Sequence, residues 1–127
     1  MIDLETRNVV FERTLQCVGT VRVLGYDTKS KRVALTAGSA VRLFDTDTRM
    51  LVESLPADIP AVGAHSVSAP GNGRLYYGSG SDVIALDFSS GTWTRLAQAP
   101  AQVTNVAVGP DGAVYISCGA DLYALRM

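Results

Sequence analysis

The 127-residue sequence is poor in the residues that most often carry chemistry, with one histidine, two cysteines and one tryptophan. A structural zinc site needs about four nitrogen or sulfur ligands, usually in close pairs. Cys17 and Cys118 lie near opposite ends of the chain and form no such pair, so we predict two small, mostly buried thiols. We also predict no cofactor and no metal site, and a single histidine leaves little material for a Ser-His-Asp or Cys-His grouping.

The sequence also lacks an excess of charge and long apolar runs. Eleven basic residues stand against twelve acidic ones, for a formal net charge of −1. That balance gives no electrostatic reason to expect nucleic acid or an anionic membrane as a partner. No apolar stretch approaches the roughly 18–20 residues that span a bilayer, and the acidic N-terminus does not resemble a signal peptide. We therefore expect a folded cytoplasmic protein that binds neither nucleic acid nor membrane.

What the sequence does contain is a threefold repeat. Each copy has an apolar strand, a glycine-centred turn, and a second apolar strand. The aligned glycines are Gly38, Gly80 and Gly119, spaced about 40 residues apart as in repeat architectures. A loop of turn-forming residues and another apolar segment precede each pair of strands. No sustained 3.6-residue period occurs, so the sequence predicts strands and no helices.

The ends of the chain have complementary patterns. The first two repeats continue into a fourth strand, at 49–55 and 92–96, whereas the third stops without one. At the N-terminus, residues 3–10 match residues 45–52 in an aspartate, an acidic residue, Thr-Arg and apolar positions. The unit is therefore four short strands, A to D, and the first residues of the chain read as a strand D.

These repeats resemble those of the β-propeller superfamily over essentially the full chain. Phe44-Asp45 resembles the end of strand C in WD repeats, and Asp87 with Gly91 and Trp93 is similar to the C–D turn of quinoprotein-like and kelch repeats. The resemblance implies an all-β fold of three four-stranded antiparallel blades, half of a six-bladed β-propeller. It assigns no single family within the superfamily.

The resemblance also implies a division of the chain into blades. Residues 1–16 would be a strand D that completes a last blade, and residues 17–57 and 58–100 would form blades 1 and 2. Residues 101–127 would form blade 3 without its strand D.

Three blades cover only part of a ring, because propellers usually close with four to eight. In one solution, two copies join head to tail and the N-terminal strand of each completes the last blade of the other. In the second solution, the chain is part of a longer propeller. The sequence favours the dimer, whose predicted assembly residues are Val9, Val10, Phe11, Leu122, Tyr123 and Leu125.

The predicted function is a non-enzymatic binding or scaffold module that takes a protein or small-molecule ligand. The alternative is a propeller enzyme, a metal-assisted hydrolase or lyase with its site at the channel mouth. Propellers commonly bind ligands on the loops into strand A and on the B–C turns. The candidate ligand-binding residues at these places are His65, Asp82, Asp121, Arg22 and Asn105. Asp3, Asp45 and Asp87 are instead predicted to fix C–D turns, by accepting backbone N–H bonds.

Overall fold

The computed structural model describes residues 2–3, 8–9, 21–38, 40–52, 55–56, 58–63 and 67–126. Over these residues the fold is all-β, with thirteen strands and no helix, as the sequence predicts. The strands are β1 (Ile2–Asp3), β2 (Asn8–Val9), β3 (Val21–Asp27), β4 (Arg32–Ala37), β5 (Ala40–Asp45), β6 (Met50–Leu51), β7 (Val67–Ser68), β8 (Arg74–Ser79), β9 (Asp82–Asp87), β10 (Trp93–Gln98), β11 (Val103–Val108), β12 (Val114–Cys118) and β13 (Asp121–Leu125).

The strands form three antiparallel sheets in simple up-and-down order. The first sheet is β3-β4-β5-β6, the second is β7-β8-β9-β10, and the third is β11-β12-β13. A separate short hairpin pairs β1 with β2. In the first sheet, β6 lies within the predicted strand D at 49–55, and the backbone N–H of Val52 also donates to the carbonyl oxygen of Leu43 in β5, over 2.8 Å. Residues 53 and 54 of that prediction lie outside the described residues.

The predicted turn glycines occupy equivalent places in the three sheets. Gly38, Gly80 and Gly119 each follow the second strand of a sheet and have φ of 63°, 60° and 62°. Each is the first of two residues between paired strand ends, for example between Ser79 and Asp82. A two-residue hairpin with positive φ at its first position needs glycine there, because a Cβ atom disfavours that conformation. The repeat in the sequence thus corresponds to a repeated turn.

The second sheet lies between the other two and has two buried faces. Leu75, Tyr77 and Leu86 on one face pack with Ala34 and Leu43 of the first sheet. These residues alternate along their strands with residues that face the opposite way, as the two-residue period of a strand requires. Leu43, Leu75, Tyr77 and Leu86 have no exposed surface, and burying each such side chain contributes roughly 1.5–3 kcal/mol.

The opposite face of the second sheet packs on the third sheet. Tyr76, Val83 and Ala85 form one cluster with Val106 and Ile116. Strand β11 of the third sheet lies against β7 and β8, and β3 of the first sheet lies against β7. The first strands of the three sheets therefore lie beside one another, and the sheets stack face to face in chain order.

Candidate functional sites

The structure places four of the predicted ligand-binding residues at one end of the sheets. Asp82 and Asp121 are the first residues of β9 and β13 and pair with Ser79 and Cys118, so they occupy equivalent places in their sheets. Arg22 lies in β3 opposite Thr36, and Asn105 lies in β11 opposite Ser117. Each position is at or near a B–C turn. The fifth candidate, His65, lies outside the described residues.

Asp82 has a charged partner that the sequence did not reveal. Its Oδ1 atom lies 3.8 Å from Nη1 of Arg95 on the neighbouring strand, with the two side chains 34% and 57% exposed. Oδ1 is buried and accepts no hydrogen bond, because 3.8 Å is too long for one. An ion pair this exposed stabilises the fold little. Arg95 is therefore the charged neighbour of Asp82, whereas Asp121 is exposed.

The described residues contain no group of three histidine, cysteine, aspartate or glutamate side chains that could hold a metal ion. Cys118 is a free, buried thiol as predicted, and Cys17 lies outside the described part of the chain. No helix in the described residues has the length and apolar character needed to cross a membrane.

The third sheet ends in a strand that no described strand covers. In the first and second sheets, β5 and β9 pair with a further strand on their outer side, but β13 pairs only with β12. Leu122 on β13 is 73% exposed and Tyr123 is 37% exposed. An apolar edge strand with unpaired backbone groups is a surface that pairs readily with another strand. Leu125 also lies on β13 and is partly buried.

The N-terminal hairpin has the same register as the C–D hairpins of the sheets. Ile2 pairs with Val9, as Phe44 pairs with Leu51 in the first sheet. The second sheet pairs Leu86 with Trp93 at the same separation in sequence. The match between residues 3–10 and 45–52 therefore extends to the pairing of the backbone. Two of the predicted assembly residues, Val10 and Phe11, lie outside the described residues.

The outer face of the first sheet carries exposed apolar side chains. Val21 and Val23 on β3 lie opposite Ala37 and Leu35, so all four share the face turned away from the second sheet. Val21 and Val23 are 45% and 67% exposed, and Tyr26 on the same strand is 45% exposed. Three large apolar residues on one strand form a patch of the kind that marks interaction surfaces.

The two described C–D turn aspartates have the predicted role. Oδ1 of Asp45 accepts hydrogen bonds from the backbone N–H groups of Asp47 and Thr48, over 2.9 and 3.0 Å. Oδ1 of Asp87 accepts from the N–H groups of Ser89 and Ser90, over the same two distances. These bonds hold the pKa of each carboxyl below its usual value. The side chain of Asp3 lies outside the description.

A pocket of about 300 Å³ lies at the other end of the sheets from the B–C turns. It is formed by the A–B turns of the first and second sheets and by the C–D turn of the second sheet. Its lining residues are Asp27, Lys29, Ser30, Asn72, Gly73, Asp87 and Ser89. Asp27 is not among the ligand-binding residues predicted from the sequence. A partial signal was Ser30 three residues later, a spacing at which an aspartate often accepts bonds from the turn it begins.

The chain matches no family model and no curated protein. Its function therefore has to be inferred from its own strand edge, exposed face and pocket.

Proposed function

We propose that this chain is a non-enzymatic assembly module, half of a six-bladed β-propeller that two copies complete head to tail. The observation that carries the proposal is the uncovered edge of β13, where Leu122 is 73% exposed. In the complete ring, the strand that begins at Asn8 of one copy pairs with β13 of the other. Each copy then gives the third sheet of its partner the fourth strand that the first two sheets have.

The register of the N-terminal hairpin favours a second copy as the occupant of this edge. Strand β2 pairs with only two residues of β1, in the register that joins Phe44 to Leu51. Leu125 follows Gly119 at the same distance as Phe44 follows Gly38. In the ring β13 replaces β1 as the partner of β2, so that Leu125 of one copy lies opposite Val9 of the other.

The exposed face of the first sheet supports the same arrangement. Head-to-tail closure stacks the first sheet of one copy on the third sheet of the other. This covers Val21, Val23 and Tyr26, which stand 45%, 67% and 45% exposed. Removing apolar surface from water favours association by roughly 25 cal/mol for each Å².

The mass of the protein in solution tests the proposal. Light scattering coupled to gel filtration is expected to give twice the mass of the chain. Leu122→Lys should shift the protein to the monomer, because a charge at the strand edge opposes pairing. Met50→Lys is the matched control, since Met50 is 47% exposed but lies outside the proposed contact, and it should leave the dimer intact. A stable, monodisperse monomer of the parent protein would overturn the proposal.

A cross-link tests the register. Directly opposed residues in antiparallel strands are close enough for a disulfide. In a Cys17→Ser background, a Val9→Cys, Leu125→Cys double variant is expected to form a covalent dimer on oxidation. The pair Val9→Cys and Met50→Cys should not. Equal cross-linking of the two pairs would contradict strand exchange at this edge.

A further inference from the structure

The pocket between the first and second sheets contains two carboxylates from different sheets. Asp27 ends β3, and Asp87 ends β9 at the start of the next C–D turn. The rest of the lining carries amide, hydroxyl, ammonium and backbone groups, with no apolar side chain.

One carboxylate oxygen of the lining residue Asp27 is left without a hydrogen bond. Asp27 is 3% exposed, and its Oδ2 atom accepts bonds from N–H and Oγ of Ser30, over 2.9 and 2.6 Å. Its Oδ1 atom is buried and has no donor. A buried anionic oxygen without a partner is costly, because it has lost its water and gained nothing in exchange. No donor among the described residues satisfies this oxygen.

The two carboxylates also repel each other. The hydrogen bonds from Ser30 hold the pKa of Asp27 below its usual value, whereas the nearby charge of Asp87 acts in the opposite direction. Bonds from the C–D turn likewise lower the pKa of Asp87, so both groups are ionised at neutral pH. Lys29 is the one cationic side chain in the lining, which leaves the pocket with an excess of negative charge.

The walls of the pocket are held in place by bonds from outside it. Nη1 of Arg32 donates to the carbonyl oxygens of Phe88 and Ser89, over 3.0 and 2.7 Å, and so ties the C–D turn to the first sheet. On the other wall, Nδ2 of Asn72 donates to the hydroxyl of Tyr76. A site whose ligands are positioned before binding loses less entropy when a ligand arrives.

We propose that this pocket binds a hard divalent cation, with Ca²⁺ the preferred ion. Asp27 and Asp87 would supply the charged oxygens, and the Asn72 amide, the Ser89 hydroxyl and water the neutral ones. Ca²⁺ accepts six to eight oxygen ligands in irregular geometry, whereas Mg²⁺ requires a near-ideal octahedron. No nitrogen or sulfur ligand of the kind zinc prefers lines the pocket. The site is separate from the proposed dimer contact and does not depend on it.

Calorimetric titration of the intact chain with calcium chloride at constant ionic strength tests the site. We expect saturable binding of one ion per chain and weaker binding of Mg²⁺. Asp27→Asn should weaken Ca²⁺ binding by about tenfold or more, since one of two charged ligands is lost. The matched control Asp121→Asn removes an exposed carboxylate at the opposite end of the sheets and should leave binding unchanged. Equal weakening by both variants would show non-specific attraction and overturn the proposal.

A second variant keeps the turn of Asp27 intact. Lys29→Met removes the cation that competes for the carboxylates, so it should tighten Ca²⁺ binding by roughly two- to tenfold. Far-ultraviolet circular dichroism checks that each variant is folded. Absence of Ca²⁺ binding in both the parent protein and a folded Lys29→Met variant would mean that Lys29 is not masking a site, and the proposal would be wrong.

Discussion

Arg32 in the first sheet donates from Nη1 to the carbonyl oxygen of Ser89 in the second sheet, over 2.7 Å. The same atom donates to the carbonyl oxygen of Phe88, over 3.0 Å, and Nε lies 3.7 Å from Oδ2 of Asp45. One partly buried guanidinium thus joins two turns of consecutive sheets. Arginine suits this position because its planar head offers several donors in fixed directions.

We expect Arg32→Gln to lower the free energy of unfolding by about 1–2 kcal/mol, because a charged donor and two carbonyl partners are lost. Urea denaturation at neutral pH measures the change. Arg95→Gln is the matched control. Its ion pair with Asp82 is longer and more exposed, so that variant should lose at most about 0.5 kcal/mol. Equal losses in the two variants would show that the bonds of Arg32 to the turn do not hold the sheets together.

The Tyr77 side chain makes a second contact between distant segments of the chain, and its contribution to the free energy of unfolding can be measured. The residue has no exposed surface, and its hydroxyl donates to the carbonyl oxygen of Pro60 over 2.7 Å. Tyr77→Phe should cost about 1–2 kcal/mol at neutral pH, because the buried carbonyl loses its donor. Tyr26→Phe, at a tyrosine that is 45% exposed, should change the unfolding free energy much less.

The same phenol predicts the alkaline behaviour of the protein. Burial raises the pKa of Tyr77 above its usual value. The unfolded chain therefore releases this proton near pH 10 while the folded chain retains it, and stability falls as pH rises above about 10. Tyr77→Phe removes this part of the decline, so its stability should change less between about pH 9 and 11. Parallel curves of unfolding free energy against pH for the two proteins would contradict the prediction.

The features that sequence predicted best are local ones. The sequence correctly predicts strands B and C of each sheet and the turn glycine between them, such as Gly80. These features depend only on neighbouring residues: apolar segments give the strands, and glycine gives the turn. Strand D of the first sheet was predicted at 49–55, and within the described residues Met50, Leu51 and Val52 bond to β5.

The surroundings of the candidate residues could not be predicted in the same way, because they depend on contacts between residues that are distant in sequence. Asp82 stood out as a turn carboxylate, but its contact with Arg95 depends on the register of β9 and β10, which includes an irregularity after Arg95. Asp27 did not stand out at all. Asp27 is a candidate ligand only because Asp87 of the next sheet lines the same pocket. The two residues belong to different repeats, so no pattern within one repeat predicts that they lie near each other.

Gly25 marks a close approach between the first two sheets. A Cβ atom at this position would lie 2.9 Å from Cβ of Ala69 and 3.4 Å from Cδ1 of Leu75. Gly25→Ala should therefore destabilise the protein by about 1–3 kcal/mol through overpacking. Ala69→Gly removes the opposing methyl group, so the double variant should recover much of the loss, measured as a coupling energy in a double-mutant cycle. If the changes in unfolding free energy of the two single variants simply added, the strain would not come from the contact between positions 25 and 69.

The turn carboxylates predict how the protein unfolds in acid. Hydrogen bonds from Ser90 and Ser89 lower the pKa of Asp87 in the folded state. A carboxyl with a depressed folded pKa stabilises the protein at pH values above its unfolded pKa of about 3.9. That contribution is lost as pH falls through the lower, folded value. Asp87→Asn keeps an oxygen acceptor for the turn but does not titrate.

The unfolding free energy of Asp87→Asn should therefore fall less steeply than that of the parent protein as pH is lowered from about 5 to 2. Asp27 and Asp45 have pKa values lowered by turn bonds of the same kind, so the variant should retain part of the parent's acid sensitivity. The exposed Asp121→Asn variant controls for the loss of one negative charge and should follow the parent curve. Identical acid sensitivity of Asp87→Asn and the parent protein would mean that the bonds to Asp87 add no stability to the folded state.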